Sequence, residues 1–220
     1  MKKKISIIVG GSGQLGISLI KILLKKNFKV IVTTRSISSA RKKIPTKSRN
    51  LKLVFLNVLK KNEISSLIKR FKPNYIYYFA GQSSPVISFK KNRVTYLSNV
   101  KGCQNFLEII NLKDKKIKFI NASSSEIFSS RVKKISLNSK KIPISPYGKA
   151  KLISYNKTKF FRDKKKLKAY NAIIFNSESY FRDKSFLIPK ICLREVAPNF
   201  AKSTKSLINI AEIKASPVKS

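Results

Sequence analysis

Two segments of this 220-residue chain carry side chains that could move protons. Tyr147 is followed four residues later by Lys151, a spacing that places both on one face of a helix. An ammonium group stabilises the ionised form of a nearby phenol, so the tyrosine can give and take a proton. The spacing alone is weak, because Tyr155 and Lys159 repeat it. Tyr147 differs in its position after a predicted strand, directly behind Ser145-Pro146.

The second segment is Asn121-Ala122-Ser123-Ser124-Ser125-Glu126, at the carboxyl end of a predicted strand. Parallel α/β sheets build their sites at that end. A hydroxyl such as that of Ser124 can hydrogen-bond a substrate oxygen, and Glu126 can remove a proton. The chain has 9 acidic residues, so a carboxylate here stands out. A helix N-terminal charge or a solvated loop residue explains Glu126 equally well on the sequence alone.

A glycine-rich turn, Gly10-Gly11-Ser12-Gly13-Gln14-Leu15-Gly16, lies between an apolar β-branched segment and an amphipathic one. Backbone without side chains lets a pyrophosphate approach the N–H groups, and the following helix adds a partial positive charge. Between a strand and a helix, this motif predicts dinucleotide binding.

The residue after the second predicted strand favours NADP over NAD. Folds that prefer NAD place an acidic residue there to bind the ribose 2′-hydroxyl. This chain has Arg35, which could instead pair with a 2′-phosphate. The alternative is one more surface arginine in a basic protein.

Composition excludes several classes of site. The chain has no histidine, so Ser-His-Asp triads and histidine metal sites are excluded, and we expect no metal. Its formal net charge of +40 would suit polyanions. The lysines are spread along the whole chain without a zinc-finger, RRM or helix-turn-helix signature, so biased composition explains the charge better than nucleic-acid binding. Two distant cysteines and short apolar runs indicate a soluble, cytoplasmic protein without a membrane span.

Hydrophobic patterns alternate between strands and helices. They predict a Rossmann-type doubly wound, mostly parallel α/β sheet. The predicted strands are 5–9, 28–34, 51–56, 75–79, 117–121 and 169–175, and the predicted helices that separate them include 62–71, 92–110 and 146–161. Residues 36–50 and 129–141 read as solvated connections. We expect a nucleotide-binding domain over residues 1–193 and a divergent or truncated tail over 194–220.

These residues together resemble the extended short-chain dehydrogenase/reductases, and among them the GDP-mannose 4,6-dehydratase family. The segments that carry the resemblance are Gly10 to Gly16, Gly81 to Phe89, Asn99-Val100-Lys101-Gly102, Ala122 to Glu126, Ser145 to Lys151, and Phe175-Asn176-Ser177-Glu178-Ser179. The chain is about a third shorter than is usual in that family, and the difference falls in the C-terminal substrate region. The resemblance thus implies a Rossmann fold with an incomplete substrate region.

The resemblance implies a role for each motif residue. Catalysis would use Ser124, Glu126, Tyr147 and Lys151. The cofactor, NADP or alternatively NAD, would contact Gly10, Gly13, Gln14, Leu15, Gly16, Arg35, Ala80, Gly81, Ser83, Tyr147 and Lys151. The sugar nucleotide, GDP-mannose first, would contact Ser84, Asn176 and Glu178.

In the implied reaction, Tyr147 takes the proton of the hexose 4-hydroxyl, Glu126 removes the C5 proton, and water leaves across C5 and C6 without net redox change. We also expect a homo-oligomer. One alternative is a related epimerase or reductase, and a simple reductase has less need of a carboxylate at position 126. The other is a noncatalytic nucleotide-binding or nucleic-acid-associated protein, for which salt-sensitive retention on nucleic acid without sugar turnover would be the sign.

Overall fold

The computed structural model describes residues 3–129, 134–182, 188, 189, 191 and 192. The chain separates into two compact units, Met1–Ser177 and Glu178–Ser220. The domain boundary predicted near residue 193 and the tail over 194–220 lie outside the described residues. No helix in the described part is long and apolar enough to cross a membrane.

The first unit is built on six parallel strands. They are β1 (Ile5–Val9), β2 (Lys29–Thr34), β3 (Leu51–Phe55), β4 (Tyr75–Tyr78), β5 (Lys118–Ser124) and β6 (Ala169–Ile174), in the order β3-β2-β1-β4-β5-β6. All five pairings are parallel, so every strand ends at the same edge of the sheet. The strand order reverses between β1 and β4, which is where such sheets place their ligands. The predicted doubly wound sheet is confirmed.

Helices join the strands. They are α1 (Gln14–Lys25), α2 (Ile37–Lys43), α3 (Lys61–Phe71), α4 (Pro85–Lys90), α5 (Asn92–Tyr96), α6 (Gly102–Lys113) and α7 (Pro146–Lys165), with a π-helical turn at Leu97–Lys101 and a 3-10 turn at Ser125–Ile127.

The core between the sheet and helices α3 and α6 fixes the central strands. β1 and β4 contribute apolar residues that α3 and α6 cover, as expected for strands buried on both faces. Tyr78, Phe106 and Phe119 form an aromatic cluster with ring centroids 5.6 to 6.5 Å apart. Rings at this spacing attract one another and stabilise the core beyond the effect of the area that they bury. The cluster therefore packs α6 against the neighbouring strands β4 and β5.

The connection predicted over residues 36–50 was wrong in part, because it contains α2. Ser36 caps this helix by accepting a hydrogen bond from the Ser39 N–H at 3.3 Å, and Ala40 is buried. Lysine and serine dominate this segment, and Ala40 is the one residue of the two-turn helix that is buried. The sequence therefore showed no hydrophobic periodicity there. The other predicted connection, over 129–141, lies partly outside the described residues, and its described part from 134 onward has no helix or strand.

The single helix predicted over 92–110 is interrupted by the π turn. Burial raises the pKa of Tyr78 well above its usual value, and its hydroxyl donates to the carbonyl oxygen of Ser98 inside this turn at 2.6 Å. A side chain at Gly102 would overlap that hydroxyl. The extra residue of the π turn thus lets a strand hydroxyl bond to the helix backbone, which a hydrophobic pattern does not reveal.

Candidate functional site

The glycine turn follows β1 at the point where the strand order reverses. Gly10 has a φ of +76°, and a Cβ there would lie 2.7 Å from the Cα of Ala80. A Cβ on Gly16 would overlap Gly11 Cα, so the first turn of α1 packs directly on the loop. A Cβ on Gly13 would meet only the Gly10 carbonyl oxygen, at 3.7 Å. Gly10 and Gly16 are therefore needed for the fold, and Gly13 leaves open space.

The start of α1 suits an anionic ligand. No side chain caps this helix, and its first turn contains no acidic residue. Gln14 begins the helix and Leu15 follows it. The first N–H groups of an α-helix have no hydrogen-bond acceptor within the helix, so they can bind a phosphate group.

Arg35 directly follows β2 and is exposed. No carboxylate in the described ranges lies within ion-pair distance of it. It stands where the sequence placed it, at the carboxyl end of the strand beside β1.

The loop after β4 faces the glycine turn. It contains Ala80, Gly81 and Ser83, and Ser84 caps α4 by accepting a hydrogen bond from Ile87 N–H at 3.3 Å. Gly81 has a φ of +153°, and a Cβ there would overlap the amide group of Asn99 in the π turn. The loop conformation therefore depends on the helix behind it.

Ser124 and Glu126 stand at the end of β5. This strand runs to Ser124, three residues beyond its predicted end, so Ser124 is a buried strand residue. Its hydroxyl accepts a hydrogen bond from the Glu126 N–H at 3.2 Å, which starts the 3-10 turn. The side chain of Glu126 is exposed. A carboxylate exposed at a strand end can reach a bound substrate.

Tyr147 and Lys151 lie in the first two turns of α7. Ser145 caps the helix through Gly148 N–H at 3.0 Å, and Pro146 occupies the first helical position. The Lys151 ammonium donates to the Ala122 carbonyl oxygen in β5 at 2.7 Å and lies 5.6 Å from the centre of the Tyr147 ring. The predicted pair thus shares one buried helix face, whereas Lys159 is exposed.

Burial lowers the pKa of Lys151 from 10.5 to about 8. The side chain is 7% exposed, and one bond to a carbonyl oxygen does not replace full hydration. The group is still mostly cationic at neutral pH. It can therefore stabilise negative charge on the Tyr147 oxygen.

The 3-10 turn and α7 are joined by a backbone contact. A Cβ on Gly148 would lie 2.5 Å from the carbonyl oxygen of Glu126. This glycine therefore allows the first turn of α7 to rest on residue 126, next to Tyr147. The four residues predicted to be catalytic therefore come from neighbouring segments, the end of β5 with its 3-10 turn and the start of α7.

The residues after β6 fall on both sides of the unit boundary. Asn176 is exposed, and the next carbonyl oxygen, that of Ser177, accepts a hydrogen bond from Gln14 Nε2 at 3.0 Å. Within the first unit, the backbone at Ser177 is therefore tied to the start of α1. Glu178 belongs to the second unit, where its carboxylate lies 3.6 Å from Arg182.

These residues fit a dinucleotide and offer no metal site. Bare backbone at the glycine turn, an uncapped helix start and a buried lysine beside a tyrosine suit a pyrophosphate and a ribose hydroxyl. Among the described residues no three of His, Cys, Asp and Glu are grouped as metal ligands would be. Burial also raises the pKa of Cys103 to about 12, so its thiol is neutral at pH 7.

Comparison with known proteins agrees with this geometry. The family model for GDP-mannose 4,6 dehydratase matches residues 7–214. The chain belongs to the GDP-mannose 4,6-dehydratase family. The resemblance drawn from the sequence motifs is confirmed.

Curated members of the GDP-mannose 4,6-dehydratase family are similar over most of the chain. The human GDP-mannose 4,6 dehydratase is 31% identical over 204 residues, which cover 86% of this chain and 54% of the human protein. The Vibrio cholerae GDP-mannose 4,6-dehydratase is 28% identical over 224 residues, covering 96% and 57%. The chain spans about half the length of the curated relatives it matches.

Solved structures of other proteins share the fold of this chain. A UDP-N-acetylglucosamine 4-epimerase from Methanobrevibacter ruminantium superposes with a TM-score of 0.80 at 19% identity, over 90% of this chain and 64% of that one. A dTDP-glucose 4,6-dehydratase from Bacillus anthracis, solved with NAD, gives 0.75 at 19% identity, over 89% and 62%.

Three residues that support the GDP-mannose 4,6-dehydratase motifs were missed as site residues. Ser88 is fully buried and its hydroxyl accepts a hydrogen bond from the Tyr147 N–H at 3.1 Å. Asn99 is 2% exposed and donates to the carbonyl oxygens of Gln82 and Thr95 at 3.1 and 3.0 Å. Gly148 admits the Glu126 backbone. Ser88, Asn99 and Gly148 lie inside the motifs that carried the resemblance, which was the available signal.

Proposed function

We propose that this chain carries the cofactor-binding and catalytic part of an NADP-dependent GDP-mannose 4,6-dehydratase. The observation that carries the proposal is the placement of Lys151. Its ammonium is held by the Ala122 carbonyl beside Tyr147, on the sheet edge that also bears the glycine turn and Glu126. Membership of the family supplies the substrate class.

Each residue has a defined task in this reaction. Tyr147 takes the proton of the hexose 4-hydroxyl, while Lys151 stabilises the negative charge on the tyrosine oxygen. Ser124 hydrogen-bonds the 4-oxygen. When bound, the nicotinamide supplies a two-electron acceptor that is restored within one turnover.

Glu126 is the base for the second half of the reaction. A keto group at C4 acidifies the proton on C5, and the Glu126 carboxylate removes it. The C6 hydroxyl then takes up a proton and leaves as water, which leaves a double bond between C5 and C6. Return of the hydrogen removed from C4 to C6, and of a proton to C5, gives the 4-keto-6-deoxy sugar with no net oxidation. The exposed carboxylate at the end of β5 suits this step, because it faces solvent before the sugar binds.

Arg35 supports NADP as the cofactor. The side chain follows β2 and has no described carboxylate partner, so it can pair with a 2′-phosphate. We expect Arg35→Gln to weaken NADP binding about tenfold and leave NAD binding within twofold, in a calorimetric titration of both. Equal effects on both cofactors would contradict this assignment.

Turnover of GDP-mannose tests the proposed function. The purified 220-residue chain, incubated with GDP-mannose and NADP, is expected to form a product lighter by one water. Glu126→Gln is expected to abolish it while leaving NADP affinity unchanged. Tight NADP binding without product from GDP-mannose would instead favour a noncatalytic protein, and an epimerised sugar of unchanged mass would favour an epimerase.

A further inference from the structure

A groove lies between β3 and α3, at the edge of the sheet. It has a volume of about 370 Å³. Its walls are mainly apolar, with Val54, Leu56, Leu67 and Phe71 among the lining residues, and Ser66 and Arg70 on the helix side. Neither α3 nor β3 carries a residue assigned above to the reaction.

β3 borders this groove and is the edge strand of the sheet in the described part of the chain. Val30 donates to the Asn50 carbonyl at 2.8 Å, and Leu56 donates to the Thr34 carbonyl at 3.0 Å. Alternate residues of a strand direct N–H and C=O to the same side, so residues 52, 54 and 56 face β2. The backbone groups of Leu53 and Phe55 therefore point outward, and Phe55 is 57% exposed.

Two cations meet at one end of the groove. The Lys52 ammonium lies 5.9 Å and the Arg70 guanidinium carbon 5.2 Å from the centre of the Phe71 ring. Within the described residues, neither has a carboxylate partner. Glu63 also lines the groove, but its carboxylate pairs with Lys60 and accepts a hydrogen bond from the Asn57 N–H. Two positive charges near the same ring repel each other, so an anion that binds between them is favoured.

We propose that this groove docks an extended acidic segment of a partner protein, which adds a strand to β3. The outward N–H and C=O groups of Leu53 and Phe55 supply main-chain hydrogen bonds. An apolar side chain of the segment enters the groove, and a carboxylate pairs with Arg70 and Lys52. A second copy of this chain fits poorly, because each copy has a formal charge of +40 and both would present cationic edges.

The test uses a fluorescein-labelled heptapeptide that alternates valine and glutamate, with a valine-lysine peptide as the sequence control. Binding is followed by anisotropy at about 0.15 M salt, where long-range charge effects are largely screened. Saturable binding of the acidic peptide is expected, weakened about tenfold by Arg70→Gln and less than twofold by Lys69→Gln. Lys69 is the matched control, because it is an exposed cation in the same helical turn.

Two further measurements separate docking from diffuse attraction. Ser66→Trp adds a ring to an exposed lining position and is expected to block the peptide without lowering the melting temperature. Amide exchange at Leu53 and Phe55 is expected to slow when the peptide binds. Equal losses in Arg70→Gln and Lys69→Gln, or unchanged exchange at both amides, would overturn the proposal. So would a single-stranded oligonucleotide that displaces the peptide and slows exchange at these same amides.

Discussion

The glycine turn after β1 and the α7 edge, which is the first two turns of α7 with the end of β5, lie at the same end of the sheet. The two regions differ in whether backbone or side chains form them. The glycine turn consists of backbone packed on backbone, so that Gly10 and Gly16 have no room for a side chain. The α7 edge consists of side chains, with Lys151 buried and Glu126 exposed. A substitution at Gly10 or Gly16 is therefore expected to disturb the fold together with ligand binding, whereas in the second region the reactive groups can be removed while the fold is kept.

The largest effect is expected from Tyr147→Phe, which removes only the hydroxyl. The ring remains in its place beside the Lys151 ammonium, so the free energy of unfolding should change by less than about 1 kcal/mol. Turnover of GDP-mannose should fall about 1000-fold, as for loss of a general acid-base group.

Tyr155→Phe is the matched control for this variant, because Tyr155 has the same four-residue spacing to a lysine in the same helix. It should change turnover less than twofold. Equal losses in the two variants would show that the helix, and not this hydroxyl, limits the reaction.

A second comparison lies within the glycine turn. Gly16→Ala forces a methyl group onto Gly11 and should lower the free energy of unfolding by about 2–3 kcal/mol, measured by urea denaturation. Gly13→Ala meets only ordinary contact and should cost less than about 1 kcal/mol. If position 13 faces the pyrophosphate, its variant should lose NADP affinity although it remains folded. The reverse order of stabilities would contradict the packing described for α1.

Lys151→Met sharpens the contrast at the other region. The unfolded chain holds the lysine proton up to its ordinary pKa near 10.5, whereas the folded chain releases it from about 8. Below pH 8 the buried lysine is charged, and burial of that charge lowers the free energy of unfolding by its full amount. Between pH 8 and 10.5 the folded chain has lost the proton and the unfolded chain has not, so the free energy of unfolding rises with pH. The variant should lack that rise.

At pH 7 the same variant should be more stable by about 1–2 kcal/mol, less than the penalty of burying the charge because its bond to the Ala122 carbonyl is lost. Turnover should nevertheless fall, though by less than in Tyr147→Phe, because the lysine acts through the tyrosine. Chemical denaturation at pH 7 and pH 10 measures both effects. A variant that is less stable than the parent at pH 7 would show that the bond outweighs the burial.

The sequence predicted best what depends on periodicity and backbone. β1 was predicted at its observed bounds, and most other strands within one residue, because buried parallel strands are short, apolar and β-branched. The glycine turn was also predictable, because backbone packed this closely on backbone requires glycine at Gly10 and Gly16. β5 was the exception, because the serines at its end read as a loop.

What could not be predicted depends on contacts between distant segments. Ser88 supports Tyr147 across 59 residues, and Asn99 holds the loop after β4 from within a π turn. Burial of Lys151 also needed the structure, because Lys159 in the same helix has the same relation to a tyrosine and is exposed. Spacing places two side chains on one face, and only the sheet decides which face is covered.

Transfer of an isotope label is the sharpest test of the proposed function, dehydration of the sugar without net redox change. GDP-mannose carrying deuterium at C4 is incubated with the 220-residue chain and NADP, and the sugar product is analysed by mass and NMR. We expect a 4-keto-6-deoxy sugar with the deuterium at C6 of the same molecule. A 4-epimer, a product with C6 hydrogen drawn only from solvent, or unchanged GDP-mannose in the presence of bound NADP would contradict it.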